Sequence, residues 1–446
     1  MEISFKTKEP VTVPQILATG RPAMKRFKRW LRRKIMNVLY ATAYLQVGIS
    51  RYHPKNSVLI LPPADTHDES DTHSFGDRMI LLGLLGRLKD KFSGAISVLS
   101  RGSCEPHRLT IHGHNVTIVG FSKRWTSFSS YREFIGLASA CSHFVLIGED
   151  ALDGIYGEYD SVQMLRFVRL ACVMGLKSVV VGCSFNGTPD RKIRNLFRRA
   201  ERSGTITYAR DPVSLDRFCT FLNNVKPVAD LAFGVDAEKF PLTSGISAIR
   251  MRSAAWKKDS GIILGINFRA WSIRNKDRFL DDIAAEILAL SDSERKLALI
   301  LIPHDTRRHN DSDLAFLQEF NRRLGNRIEI IGSPGEIASG IHAKQAVRCC
   351  DVVLTGRMHV AIAALDQGIP AVSFSYQGKF EGLYDLFGMG RKWLVDYEDP
   401  QGAIRILRQA LDRREELSAN IVARIQDIRS SADRNVEWLN DDKTQE

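Results

Sequence analysis

The chain has 446 residues and a formal net charge of +12, from 63 Lys and Arg against 51 Asp and Glu. Because single hydrophobic cores stop growing at about 250–300 residues, this length favours two domains over one. The 44% hydrophobic and 26% charged content is ordinary for a globular protein, and it excludes a mostly disordered chain and a polytopic membrane protein.

The positive charge is concentrated near the N-terminus. Residues 1–57 contain 12 of the basic residues and only two acids, Glu2 and Glu9, so this segment carries +10 of the net charge. The rest of the chain is nearly neutral, which argues against a diffuse nucleic-acid-binding surface. We therefore predict no nucleic-acid partner.

Residues 1–56 are predicted to form a basic arm followed by a helix. Prolines oppose a helix in the first 22 residues, and a helical pattern then runs from Ala23 to about Gly48. Its apolar half, Ile35 to Val47, is shorter than the roughly 20 residues that span a bilayer. This half suits either a membrane interface or packing on the protein itself, and the sequence leaves both open.

The cysteine pattern bears on the cellular compartment. Seven cysteines are scattered along the chain and form no C-x-x-C pair, which favours a reducing environment. The N-terminus does not resemble a secretory signal. We therefore expect a cytoplasmic protein.

Residues 57–240 alternate between short apolar runs and helical stretches, and they are predicted to form the first domain. Nearly continuous apolar strands separated by helices indicate a parallel sheet covered on both faces. The predicted strands are Val58–Leu61, Ala95–Leu99, Val116–Val119, His143–Ile147, Ser178–Gly182 and Thr205–Tyr208. The clearest helices are Arg78–Leu88, Ser161–Met174 and Val213–Leu222.

Residues 241–260 are more polar and are predicted to be a linker. The alternation restarts in residues 261–446, the second domain, which ends in terminal helices. Its predicted strands are Ile262–Ile266, Leu297–Ile302, Ile328–Ile331, Val352–Leu354 and Ala371–Phe374. We therefore predict an α/β protein with two doubly wound, Rossmann-like parallel-sheet domains that face a cleft.

Arginines occupy equivalent strand-to-helix turns in the two domains. In open parallel sheets, ligands bind beyond the carboxyl ends of the strands, where helix N-termini present free N–H groups. Arg210 precedes Asp211 and Pro212, a capping acid and a proline suited to the first helical turn. Arg357 and His359 lie between a buried strand and an apolar helix.

Two arginines that face one cleft suggest an anion with two charged ends, such as a carboxylate and a phosphate. A cation beside a helix N-terminus is unfavourable unless an anion joins it. The alternative is a salt bridge to a neighbouring acid, for which Asp211 and Asp351 are available.

Three further turns carry weaker signals. Gly76 and Asp77 open a helix after the first strand, where they suit either close approach to a ligand or a simple cap. His304 follows another strand and is either a site residue or an ordinary turn residue. Lys379 follows the last strong strand and either reaches an anion or stays in solvent.

Sequence fingerprints of other site classes are absent. There is no G-x-G-x-x-G and no P-loop motif. His107, His112 and His114 lack metal-ligand spacing, and the loop that holds Asp65, His67, Asp68 and His73 fits an exposed loop better than a metal site. We predict no metal and no cofactor.

At the second arginine turn, the sequence resembles the polysaccharide pyruvyl transferase family. The most specific match runs from Asp351 to Pro370 and contains the family's R-x-H segment at Arg357 and His359. It continues to a Y-x-x-K turn that ends at Lys379.

Shorter matches extend this resemblance over about residues 74 to 390. Arg210 begins a turn similar to the family's R-[DE]-x-x-S, and Gly76-Asp77 is similar to its G-D. Arg269 belongs to a stretch similar to its R-x-W. These matches are short, but their order along the chain agrees with the family.

The resemblance implies a two-lobed fold similar to that of GT-B glycosyltransferases. It implies transfer of a pyruvyl group from phosphoenolpyruvate to two hydroxyls of a sugar in a polysaccharide or its lipid-linked precursor, giving a cyclic ketal and phosphate. His359 is then expected to be the acid/base group, because an imidazole gives and takes protons near neutral pH. Arg357 and Arg210 are expected to hold the anion and to stabilise the departing phosphate.

One segment departs from the family pattern. Where the family often has a glycine cluster, the chain has Gly148-Glu149-Asp150-Ala151-Leu152-Asp153-Gly154, a difference that bears on the acceptor side of the site. The candidate substrate-binding residues are therefore Gly76, Asp77, Asp150, Asp153, Arg269, His304 and Lys379.

Two alternative functions stay open at this stage. A GT-B glycosyltransferase would share the fold and the cationic cleft, but it would use a nucleotide sugar and release a nucleoside diphosphate. A non-catalytic, glycan-binding relative would form neither product. The basic arm lies outside the resemblance, and we expect residues 1–56 to meet an anionic membrane surface, where a lipid-linked acceptor would be found.

Overall fold

The protein is described by a computed structural model of most of the chain. The described residues are 21–49, 55–62, 74–89, 91–101, 106–111, 114–121, 129–155, 157–185, 187, 190–293, 296–306, 312–376 and 378–442. Some residues that were weighed as metal ligands lie outside the described ranges. They are Asp65, His67, Asp68, His73 and His112.

The first domain is built on an eight-stranded sheet. Its strands are β1 (Lys55–Leu61), β2 (Ala95–Arg101), β3 (His107–Ile111), β4 (His114–Phe121), β5 (Cys141–Glu149), β6 (Lys177–Cys183), β7 (Ile206–Ala209) and β8 (Val225–Pro227). They are arranged in the order β3-β4-β2-β1-β5-β6-β7-β8. Neighbouring strands are parallel except for β3 and β4, an antiparallel pair at one edge.

Helices cover both faces of this sheet. They are α1 (Arg21–Ile49), α2 (Phe75–Lys89), α3 (Ser130–Ala138), α4 (Glu158–Val173), α5 (Arg191–Glu201) and α6 (Pro212–Cys219). In β1, Val58 and Ile60 pack into the core that includes α2, whereas Leu59 and Leu61 pack under α1, α3 and α4. Because alternate side chains of a strand point to opposite faces, an uninterrupted apolar run specifies burial on both.

The second domain has a six-stranded parallel sheet. Its strands are β9 (Ile262–Asn267), β10 (Leu297–Leu301), β11 (Glu329–Gly332), β12 (Val352–Thr355), β13 (Ala371–Phe374) and β14 (Leu394–Val395), in the order β11-β10-β9-β12-β13-β14. Its helices are α7 (Ser244–Lys258), α8 (Lys276–Ser293), α9 (Asp313–Leu324), α10 (Gly340–Val347), α11 (Met358–Leu365), α12 (Lys379–Leu386), α13 (Pro400–Asp412) and α14 (Arg414–Asp433). The predicted α/β class, with two doubly wound domains, is confirmed.

Residues 241–260 do not form the linker that their polarity suggests. Helix α7 occupies most of this segment, and the side chain of Thr243 caps it by accepting a hydrogen bond from the Ile246 N–H at 3.2 Å. Ile246, Ile249 and Ser253 are buried against the second domain. Their i, i+3, i+7 spacing forms a narrow buried face that the polar composition of the segment obscures.

The last described residues return to the first domain. After α14 a short helical segment, Arg434–Asp442, packs near β6. The Asn435 Oδ1 accepts a hydrogen bond from the Gly182 N–H at 2.9 Å, and its Nδ2 donates to the Ala229 carbonyl at 2.9 Å. Trp438 is buried against His143, with 5.1 Å between ring centroids. The terminal helices therefore connect the two domains, rather than belonging to the second alone.

The N-terminal helix α1 packs on the first domain through one face. Met36, Ala43 and Val47 are buried, and the helix contacts α3 and α4. Of the two arrangements that the sequence leaves open, packing on the protein is therefore present. Among the helices of the described residues, none combines the length and the apolar character needed to cross a membrane.

The C-terminal segment gives a stability prediction. Asn435→Ala leaves the buried Gly182 N–H and Ala229 carbonyl without partners, so we expect it to lower the free energy of unfolding by about 2–4 kcal/mol. Glu437→Ala removes an exposed side chain of the same segment, and its effect should stay within about 0.5 kcal/mol. Urea unfolding of both variants checks this, and equal midpoints would contradict the role of Asn435.

Candidate functional site

Arg210 lies at the carboxyl end of β7, where the first domain faces the second. Its guanidinium is 4% exposed and donates from Nη1 to Asp230 Oδ2 and from Nη2 to Ser184 Oγ, both at 2.8 Å. Asp211 is not its ion-pair partner, because that carboxylate caps α6 and accepts from the Ser214 N–H at 2.8 Å. The predicted cap is present, and the arginine pairs with a more distant acid.

Arg357 lies at the corresponding turn of the second domain, directly before α11. Its Nε and Nη2 donate to the two carboxylate oxygens of Asp313 at 2.9 and 2.7 Å, and Nη2 also lies 3.3 Å from Asp305 Oδ2. Asp351 instead accepts from Lys257 at 2.9 Å. The two-point pairing fixes the plane of the guanidinium, while its Nη1 makes no hydrogen bond to the described residues.

His359 lies in the first turn of α11, two residues after Arg357. Its Nε2 lies 3.7 Å from Asp230 Oδ2, beyond hydrogen-bond distance but close enough for a charge interaction across the domain boundary. Its ring lies parallel to that of His304, with 5.9 Å between the centroids and 3° between the planes. The structure thus brings the three predicted catalytic residues and His304 into one network.

Gly76 explains how His359 can approach the first domain so closely. A Cβ atom at this position would overlap the His359 Nδ1 and would lie 2.8 Å from both Cγ and Cε1. The Phe75 N–H, in the same turn, donates to the His304 carbonyl at 3.1 Å. The glycine therefore serves close approach between domains, and a helix cap does not account for it.

The surrounding charges set the protonation of two of these groups. Burial, reinforced by the nearby charges of His359 and Arg357, holds the pKa of His304 well below its ordinary value, so this ring is neutral. Although burial opposes ionisation of Asp230, the Arg210 guanidinium holds the pKa of this carboxyl below its usual range. A fixed negative charge therefore faces His359, next to a neutral imidazole.

Carboxyl groups line the first-domain side of the site. Burial raises the pKa of Asp77, which is in hydrogen-bond contact with Glu149 and close to the charge of His359. Asp150 is half-buried, and its charge acts on both of these carboxyls. Asp153 is buried in its own turn, where its Oδ1 accepts from the Ile155 N–H at 2.9 Å. The structure thus places Asp77 and Asp150 at the site and gives Asp153 a local bond.

Aromatic rings hold Arg269 on the second-domain side. Its guanidinium lies 4.1 Å from the centroid of the Tyr376 ring and 5.0 Å from that of Trp271. Its N–H donates to the Tyr397 hydroxyl at 3.0 Å. Helix α12 begins at Lys379, but the side chain of this residue lies outside the described part of the structure.

Several residues of the site were not predicted from the sequence. Asp230 carries a recognisable signal, since it is the only charged residue in the apolar run from Val228 to Phe233. Asp313 and Ser184 carry none, because ordinary helix caps and loops contain the same residue types. Within the described residues, no group of three or more His, Cys, Asp or Glu side chains has the arrangement of a metal site.

The sequence of the chain matches one family model over most of the two domains. Residues 75–378 match the model described as polysaccharide pyruvyl transferase. None of the curated proteins gives a significant sequence match. The assignment of the chain to a family therefore rests on the match to this family model.

Solved structures with the same architecture are enzymes of the GT-B fold. UDP-GlcNAc 2-epimerase from Neisseria meningitidis, solved with UDP-GlcNAc bound, is similar with a TM-score of 0.56 and 11% identity, covering 86% of this chain and 100% of its own. Sucrose-phosphate synthase from Thermosynechococcus elongatus gives a TM-score of 0.52 and 11% identity, over 88% and 100% of the chains. Trehalose 6-phosphate synthase from Burkholderia multivorans gives 0.51 and 12%, over 88% and 98%. At such identities the likeness establishes the fold alone.

The close approach of His359 to Gly76 gives a prediction with a control in the same helix. Gly76→Ala must displace the imidazole, so we expect it to lower the free energy of unfolding by about 1–3 kcal/mol. Gly86→Ala, also in α2, meets no atom within 4 Å and should stabilise by up to about 1 kcal/mol through helix propensity. Denaturant unfolding compares the two, and an equal shift in both would contradict the packing described.

Proposed function

The chain belongs to the polysaccharide pyruvyl transferase family, and from that premise we propose that it transfers the pyruvyl group of phosphoenolpyruvate to two hydroxyls of one sugar. The products are a cyclic ketal and phosphate. The observation that carries the proposal is the position of His359 beside Asp230, the carboxylate that also pairs with Arg210, and two residues after Arg357. A proton-transferring group of the second domain and an arginine of the first therefore share one carboxylate.

Charge complementarity supports a small anion with two charged ends. Phosphoenolpyruvate carries a carboxylate and a phosphate on one carbon frame, and each needs a cationic partner. Each arginine uses some of its five N–H donors on neighbouring acids or hydroxyls and has donors left, such as Nη1 of Arg357. The ion pairs with Asp313 and Asp230 fix the direction of the guanidiniums before the donor binds, and this lowers the entropy lost on binding.

The reaction needs several proton transfers. One proton must reach the methylene carbon of the donor, both attacking hydroxyls must lose theirs, and the departing phosphate gains one. We assign His359 to the hydroxyl and phosphate side, because the Asp230 carboxylate stabilises the imidazolium that forms when the ring accepts a proton. The arginines stabilise the negative charge that grows on the phosphate as the C–O bond breaks.

Substitution of His359 tests the proposed chemistry. His359→Asn keeps a side chain of similar polarity but cannot transfer a proton, so we expect kcat to fall about 10²- to 10⁴-fold with the fold intact. The exposed His107, changed to Asn, is the control and should keep full turnover. Phosphate released from phosphoenolpyruvate in the presence of a glycan acceptor is the measurement.

Three outcomes of this experiment would count against the proposal. Full turnover in His359→Asn would contradict the acid/base role. Release of a nucleoside diphosphate from a nucleotide sugar, with no phosphate from phosphoenolpyruvate, would favour a GT-B glycosyltransferase instead. Ligand binding with neither product would favour a non-catalytic glycan-binding protein.

We further propose that α1 brings the enzyme to the inner face of an anionic membrane, where a lipid-linked acceptor would lie. The helix face opposite Met36 and Val47 is exposed and carries large apolar side chains, namely Phe27, Trp30, Leu31, Val38 and Leu45. Exposed Lys28 and Lys34 lie beside this apolar stripe. An apolar stripe flanked by lysines fits the headgroup region of an anionic bilayer.

The membrane proposal requires substitutions rather than deletion of α1, because Met36, Ala43 and Val47 belong to the core. A Phe27→Ser, Trp30→Ser, Leu31→Ser variant should bind vesicles containing anionic lipid at least about tenfold more weakly, since three apolar side chains no longer enter the bilayer. Its turnover on a soluble acceptor should be unchanged. Val422→Ser removes an exposed apolar side chain from α14 and serves as the control. Equal vesicle binding by the triple variant and the wild type would contradict the proposal.

A further inference from the structure

Glu149, the last residue of β5, has an unusual backbone conformation. Its φ is +44°, and only Ser260 and Lys296 share a positive φ among the non-glycine residues that the structure describes. This left-handed region is disfavoured for any residue with a Cβ atom. A glycine adopts a positive φ without this cost, and the family often has glycines in this segment. The chain instead places a carboxyl group at this strained position.

The side chain of Glu149 is directed into the site. The residue is 6% exposed, and its Oε1 is buried without a hydrogen-bond partner among the described residues. The carboxyl group is in hydrogen-bond contact with Asp77, whose other charged neighbours include His359 and Asp150. Such an unpaired buried oxygen is expensive unless something else binds there.

The backbone of Glu149 is tied to the proposed anion-binding arginine. Its carbonyl accepts from the Ser184 N–H at 2.6 Å, and the Ser184 Oγ accepts from Arg210 Nη2 at 2.8 Å. Arg210 in turn pairs with Asp230, which faces His359. The carboxyl of Glu149 is also within reach of the charges of Arg210 and Asp230, so it belongs to the first-domain side of the same network.

The charges around Glu149 favour its neutral form. Burial raises its pKa well above the ordinary value, and the neighbouring carboxylates Asp77, Asp150 and Asp230 act in the same direction against the single cation Arg210. Asp77 also has a raised pKa because of burial. Ionising both of two enclosed carboxyls in contact is unfavourable, so these surroundings favour a pair that holds one proton.

We propose that Glu149 is a second acid/base group of this enzyme, which acts with Asp77 as a carboxyl pair that protonates the methylene carbon of the donor. This inference rests on the proposed pyruvyl transfer. His359 was assigned only to the protons of the hydroxyl and of the phosphate. The carboxyl pair supplies the remaining proton, which goes to the methylene carbon. The two groups then work from opposite domains on the same donor.

The proton balance is closed by the two groups together. The carboxyl pair gives its proton to the methylene carbon as the double bond becomes a methyl group, and the first sugar hydroxyl bonds to the central carbon. That hydroxyl's proton returns to the pair. His359 takes the proton of the second hydroxyl as its oxygen bonds to the same carbon, and it passes that proton to the phosphate, which leaves with the electrons of the broken C–O bond.

Two substitutions at Glu149 separate chemistry from structure. Glu149→Gln keeps the size and hydrogen bonding of the neutral acid but cannot transfer a proton, so kcat should fall about 10²- to 10⁴-fold with KM for phosphoenolpyruvate little changed. Glu149→Gly removes the carboxyl group and the backbone strain together, so it should raise Tm while turnover is lost. Ser260→Gly relieves the same kind of strain away from the site and should raise Tm with turnover unchanged. Added formate should restore part of the turnover of Glu149→Gly, because it can occupy the space of the missing carboxyl.

The pH dependence of stability is a readout that does not need turnover. A carboxyl with a raised pKa in the folded state binds its proton more tightly there than in the unfolded chain, so its contribution to stability falls as pH rises above the unfolded value. The Gln variant lacks this dependence. The Tm of Glu149→Gln should therefore exceed that of the wild type at pH 8, and the difference should be clearly smaller at pH 5, closer to the unfolded pKa of about 4.3.

The outcomes distinguish failure of this inference from failure of the proposed function. A wild type that forms ketal, together with a Glu149→Gln variant that keeps at least half of its turnover, would overturn the role of Glu149 alone. A Tm difference that is the same at pH 5 and pH 8 would overturn the protonated pair, whatever the activity. A wild type that forms no ketal, with the expected Tm behaviour, would overturn the function and leave the carboxyl pair without its assigned reaction.

Discussion

The contact of Asp230 with Arg210 and His359 is the interaction on which the site depends. A buried carboxylate is tolerated only when a cation pairs with it, and Arg210 supplies that cation at 2.8 Å within the first domain. The same carboxylate lies 3.7 Å from His359 in the second domain. Because the same carboxylate interacts with residues of both domains, the segment that carries Asp230 and the first turn of α11 must keep a fixed separation. The position of the reactive imidazole is therefore set by the domain arrangement and by α11 together.

Close packing at the domain boundary maintains that separation. Gly76 lets the His359 ring lie against α2, and Gly340 of α10 lies against Phe75 and Met79 of the same helix. The segment Arg434–Asp442 follows the last helix of the second domain and is hydrogen-bonded to the first sheet through Asn435. Small residues at the domain boundary, together with a terminal segment that crosses it, therefore keep the two sheets in a fixed relative position. A closely packed boundary suits a reaction in which groups from both domains act on one small donor.

The sequence predicted the parts of the fold and site that depend on local pattern. Apolar runs such as Val58–Leu61 predict buried strands, and the turns that contain Arg210 and Arg357 predict where the sheet edges meet the cleft. Residues 241–260 were predicted wrongly as a linker, because α7 buries only one narrow face and is polar elsewhere. The apolar pattern of the sequence was therefore sufficient to predict strands that are buried on both faces. It was not sufficient to predict a helix that is buried on one narrow face.

The partners of the site residues depend on tertiary contacts, and the sequence did not reveal them. Asp211 and Asp351 are nearest in sequence to the two arginines, yet Asp230 and Asp313 are the ion-pair partners. The strain at Glu149 is likewise invisible in the sequence, since a positive φ at a glutamate follows from the path between β5 and the following turn. The sequence did show that the segment from Gly148 to Gly154 differs from the glycines usual in the family, and Glu149 lies in that segment.

Pyruvyl transfer by the wild-type enzyme requires a defined stoichiometry of its two products. With phosphoenolpyruvate and a panel of soluble and lipid-linked glycans, mass spectrometry of the acceptor and a phosphate assay measure both products of one reaction. We expect one phosphate released for each pyruvyl ketal gained, with two hydroxyls of the same sugar lost in the product. Phosphate release without a change in acceptor mass, or a glycosyl increment with a nucleotide sugar and none with phosphoenolpyruvate, would contradict pyruvyl transfer by this enzyme.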